Sequence, residues 1–78
     1  MVEKGQIYTH QNGLSFEILC VGVLNSVVED KVVVVHQGLH DGRVWVRDMD
    51  NFTGLLRGKP RFEYKDLVGT TEEEVIND

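Results

Sequence analysis

Arg43, Trp45 and Arg47 stand at every second position of one short stretch. In an extended strand that spacing puts all three on one face and Val44 and Val46 on the other. The valines are expected to face a core, leaving the only tryptophan exposed between two guanidinium groups. An exposed indole can stack a flat ring while its arginines fork an oxyanion. It can equally anchor a protein partner with an acidic rim. Tyr8 and His10 share a face of an earlier strand by the same alternation. If both faces turn outward on adjacent strands, they form an aromatic platform beside cationic groups, with Arg61 as a further cation. The alternative is structural: Trp45 caps an open barrel end and its arginines stack on it.

Other chemistry is poorly served. His10, His36, His40 and Cys20 fit no recognised metal-ligand spacing, so no metal is expected. Cys20 lies among Ile18, Val21 and Gly22, which predicts an inert buried thiol. No nucleophile elbow, acid/base carboxylate pair or phosphate-cradling glycine motif is present. Neither a cofactor nor an enzymatic activity is therefore expected.

Several elements must position these residues. Gln6–His10 is β-prone, and Asn12-Gly13 is a strong hairpin signal because both residues tolerate positive φ. In the next strand Leu14, Phe16 and Ile18 face one way; from Ile18 to Leu24 both faces are apolar, and Gly22 is a candidate bend. Residues 31–36 form a strand whose four successive valines predict cover on both faces, one of them from a second subunit. Asp48 is placed to cap one helical turn that sets Met49 and Phe52 on one face. Residues 54–60 read as a loop and residues 61–64 as a final alternating strand. This order predicts a mainly β fold: a small five-stranded, partly open SH3-like barrel with a short helical turn before the last strand.

The chain of 78 residues is one thin-cored domain, burying roughly 60–65% of its unfolded surface. Its net charge of −5 is unevenly placed. Residues 1–65 carry eight basic and eight acidic side chains, so the remaining five acids belong to the end of the chain. The division is a β domain over residues 1–66 and an acidic, flexible tail over 67–78. No stretch is long and apolar enough to span a membrane. Residues 1–5 lack the basic and hydrophobic regions of a signal peptide, so a cytoplasmic location with a reduced Cys20 is expected.

The order of motifs is also informative. Gly5-x-x-Tyr8-x-His10, Gly13, Phe16-Glu17-x-Leu19-x-Val21, the valine run, Gly42-x-x-Trp45-Val46-Arg47, Phe52 and Arg61-Phe62 together resemble a bacterial and phage family, domain of unknown function 1653. The resemblance spans roughly residues 5–64. It implies a small β domain and supplies no mechanism. The chain departs from the family at Asp48, where a proline is usual, and in residues 37–42, which lack an aromatic before Trp45.

Taken together, these residues point to a non-enzymatic interaction module. Tyr8, His10, Arg43, Trp45, Arg47 and Arg61 would bind a protein or peptide partner, and a homodimer is a candidate assembly. The alternative is a nucleotide-like small molecule stacked on Trp45. Nucleic acid is a further alternative through the basic residues between 43 and 65, but the acidic tail counts against it.

Overall fold

Turn chemistry and alternation lay down a meander of strands. The computed structural model describes residues 1–67, side chains included up to residue 65. Strand β1 (Gln6–His10) pairs antiparallel with β2 (Ser15–Leu24), joined by a turn in which Gly13 has φ +93°. A turn forms where the sequence predicts one, but only Gly13 takes positive φ; Asn12 shapes it through its side chain, whose Oδ1 accepts from the Leu14 amide at 2.9 Å. Strands β3 (Lys31–Gly38) and β4 (Val44–Asp48) continue the meander. The turn between them uses Gly42 at φ +73°. Asp48 then caps helix α1 (Met49–Phe52), accepting from the Asn51 amide at 2.7 Å. The expected loop carries a two-stranded ribbon, β5 (Leu55–Leu56) and β6 (Lys59–Pro60). Finally β7 (Phe62–Leu67) returns beside β1.

The five long strands make one antiparallel sheet in the order β4-β3-β2-β1-β7. The fold is mainly β, as expected, but the sheet stays open and does not close into a barrel. Its curved inner face carries Phe16 and Ile18 of β2, Val34 and His36 of β3, and Phe62 of β7. Helix α1 lays Phe52 and Met49 against that face. Phe52 and Phe62 stack with centroids 4.0 Å apart and planes 7° from parallel. Val2 completes the core from a segment with no periodicity of its own.

Two expectations are corrected. Val44 and Val46 do not face the core. Opposite Trp45 stands His36, and opposite Arg47 stands Val34, so the arginine-tryptophan face is the inner one. Val46 on the outer face remains 61% exposed. Alternation distinguishes two faces but not which is covered; here Phe52 and Phe62 supply the cover. Second, Cys20 is exposed. The register shifts between Ile18 and Cys20, which puts Cys20 opposite Val35 on the outer face, and β1 pairs with β2 only over residues 15–17, so no strand flanks Cys20 on that side. The irregularity falls there, not at Gly22. In the valine run Val33 and Val34 are buried by this chain alone, and Val32 is exposed. The acidic tail, apart from the strand end at Leu67, lies outside the described residues.

Phe52→Ala is expected to cost about 3–5 kcal/mol, the usual cost of truncating a buried Phe. Val46→Thr is expected to stay within about 0.5 kcal/mol, as for surface substitutions. Urea unfolding of both variants checks which face of β4 is covered.

Candidate functional site

The inner face is not filled at one end. Between β4 and β7 a cleft of about 450 Å³ opens, walled by Trp45 and Arg47 on one side and His10 and Phe62 on the other. His36 and Phe16 form its floor, and His40 and Asn51 stand at its edges. The volume lies in the range of small-molecule sites. Strands β1 and β4 are not neighbours in the sheet. Curvature of the open sheet, not adjacency, brings His10 to the same cleft as Trp45 and Arg47.

The sequence-predicted residues separate into three groups. His10, Trp45 and Arg47 line the cleft. Arg43 lies outside the lining and places its guanidinium over the Trp45 ring, 5.5 Å from the centroid. Arg61 is also outside, with its Nε donating to the Asn51 carbonyl at 3.1 Å. Tyr8 belongs to the core: its ring meets Phe52 edge-on at 5.3 Å and Tyr64 at 5.7 Å. Burial pushes its hydroxyl pKa up, with help from Tyr64 and Glu3. Trp45 is 46% exposed, so its exposure was read correctly although its face was not.

His36 and Asn51 were missed. His36 is 2% exposed and packs edge-on against Phe16, Phe52 and Phe62 at 5.2–5.6 Å. Its alternation with Val34 was legible, but the valine run around it hid the signal. Asn51 carried none: its role comes from α1 crossing the sheet, where its Oδ1 accepts from Arg47 Nη1 at 2.5 Å. Arg47 also covers the Phe62 ring, 5.7 Å from its centroid, an arrangement favourable to a cation.

Two of the three cleft histidines present opposite chemistry. His36 Nδ1 lies 3.1 Å from the Val34 carbonyl; a carbonyl only accepts, so Nδ1 carries the proton and Nε2 is left an acceptor. The Asn12 amide donates to His10 Nδ1 at 3.0 Å, so neutral His10 carries its proton on Nε2, a donor. Burial, first, and the charge of Arg47 lower the pKa of each. Both therefore favour the neutral form near pH 7. His40 is tied instead to Asp41, 3.3 Å away.

A second cleft of about 590 Å³ lies beyond the Phe52–Phe62 pair, lined by Met1, Val2, Tyr8, Met49 and Thr53. It is larger but brings no charged side chain, so the first cleft is the better candidate. Among the described residues no group of three His, Cys, Asp or Glu side chains can hold a metal.

A histidine pKa held below its ordinary value of 6.5 makes the unfolded chain the better proton acceptor. Stability is then full above about pH 6.5 and falls as the pH drops from there towards the folded-state values. Thermal unfolding midpoints of the wild type are expected to decline on acidification. In His36→Asn, which keeps a donor for Val34, that decline is expected to be shallower.

No family model, no curated protein and no solved structure matches this chain.

Proposed function

We propose that this chain is a non-enzymatic binding module whose concave cleft takes a compact, flat, nucleotide-like ligand. One observation carries the reading: a half-exposed tryptophan forms the wall of a cleft of about 450 Å³ that also gathers Arg47 and three histidines, with Asp41 and Asp48 in its lining. Large aromatic surface is costly to leave wet and gains most from a stacked ring. Arg43 takes one face of the indole, leaving the other for a ligand. A binding role is favoured over a catalytic one by Cys20, which register places on the outer face of β2, away from the inner-face histidines.

The resemblance to the domain of unknown function 1653 family belongs to this proposal. What supports it is that His10, Trp45, Arg47 and Phe62, all within the shared motifs, meet in one cleft. The SH3-like reading is supported by the four-strand meander, the helical turn after it and the return of the last strand beside the first. A cytoplasmic setting fits a single cysteine; among the described residues no helix is long and apolar enough to cross a membrane.

A protein partner is the second reading, favoured by a different surface. Beyond β1 and β4, the β2–β3 hairpin stands alone and exposes Val21, Val23, Val27, Val28 and Val32. An uncovered apolar ribbon of this kind marks an association surface, and a second copy of the chain is the simplest occupant.

Native mass spectrometry of gently purified protein separates the two. An adduct in the nucleotide mass range, lost in Trp45→Ala, is the expected result. An adduct retained by Trp45→Ala, or bare wild-type chain, overturns the cleft reading. A dimer mass that becomes monomeric in Val23→Glu is the outcome expected of the second.

A further inference from the structure

We propose that Arg47 and Arg61 form an anion-holding subsite at the edge of this cleft, and that its ligand is a phosphate monoester on a flat ring, of nucleoside-monophosphate class. The inference deepens the binding reading above and rests on it.

A single residue tethers both guanidinium groups. Asn51 accepts from Arg47 Nη1 through its side chain and from Arg61 Nε through its carbonyl. The two arginines come from different places, β4 and the residue before β7, so α1 draws them together across the open side of the sheet. Each guanidinium gives one nitrogen to Asn51 and makes no other hydrogen bond among the described residues. Neither lies within 4.0 Å of a carboxylate among them. Like charges held side by side are unfavourable unless an anion joins them. Consistent with that, burial and the charge of Arg61 both lower the Arg47 pKa. Asp48 opposes this in part, but its Oδ1 is engaged as the cap of α1.

The donors that remain suit phosphate. Each guanidinium keeps a planar fork of N–H groups, and such forks match the oxygens of a phosphate. A phosphate monoester offers three acceptor oxygens and a charge between about −1.5 and −2 at pH 7. A carboxylate, with two oxygens and one charge, occupies only one fork. Neutral His10 adds a donor at Nε2 without adding a third positive charge. His10 lines the same cleft as Arg47 and Asn51, the residue that holds both arginines. The ring attached to the phosphate would then lie towards Trp45, on the cleft wall shared with Arg47.

The only tryptophan reports on the test. Its fluorescence is titrated with adenosine 5′-monophosphate and with adenosine, in wild type, Arg61→Gln and the control Arg57→Gln, an exposed turn residue. In parallel, arginine Nε resonances are followed by NMR as inorganic phosphate is added. The monophosphate is expected to bind at least tenfold more tightly than adenosine. That preference is expected to collapse in Arg61→Gln and persist in Arg57→Gln. Circular dichroism of each variant confirms the fold. Equal affinity for the two probes, or a preference that survives Arg61→Gln, overturns the anion subsite and leaves the cleft reading standing. If neither probe perturbs Trp45 but phosphate shifts the Arg47 and Arg61 signals saturably, the subsite stands and the ring-stacking reading fails. Silence in both measurements overturns both.

Discussion

The stack of Phe52 on Phe62 is the constraint on which the rest of this small protein depends. An open five-stranded sheet leaves its inner face wet unless something crosses it. Here a single helical turn does so, and its hold is one pair of parallel rings 4.0 Å apart, with His36, Tyr8 and Phe16 packed edge-on around the pair. A domain of 78 residues has little other apolar area to spend. The same contact fixes where α1 lies, hence where Asn51 sits, hence how two distant arginines are held. Core and candidate site are therefore built on one interaction, and a change in the stack would be felt in the cleft.

The cleft also shows how a thin core can tolerate polar groups. His36 is buried yet has a carbonyl partner for its Nδ1 proton, and among the described residues no buried side-chain polar atom lacks a partner. Its neighbours are rings, which lowers the cost of the imidazole so long as it stays neutral. Arg47 is accommodated by lying over Phe62 and donating to Asn51. What it lacks among the described residues is a carboxylate within 4.0 Å, although Asp48 acts on it from farther off. That asymmetry, a cation with aromatic and amide support but no ion-pair contact, distinguishes this end of the sheet from the ordinary surface pair Lys31–Glu29, which is worth little.

Local elements were legible because their causes are local. Asn12-Gly13 marks the turn, although only Gly13 takes positive φ, Asp48 caps the turn that follows it, and Met49 and Phe52 pack inward three positions apart. Arg43, Trp45 and Arg47 do share a face. The errors concern what lies opposite a face. Val44 and Val46 were expected to be covered, but they lie on an edge strand with nothing over them. Tyr8 was expected beside the arginines, but the return of β7 beside β1 sets it among Phe52 and Tyr64. Cys20 was expected to be buried by its apolar neighbours, but the register shift after Ile18 turns it to the outer face, beyond the reach of β1.

The sequence by itself determined the strands, their turns, the helical cap and the residue types available for binding. Each of these follows from contacts within a few positions along the chain: side-chain alternation, positive φ at glycine, an aspartate reaching an amide three residues on. Only the tertiary structure decided which face of β4 is the inner one, that His10 meets Arg47 across strands that are not neighbours, and that Asn51 joins Arg47 to Arg61. Those outcomes depend on sheet curvature and on one aromatic stack between residues ten apart, and alternation has no term for either.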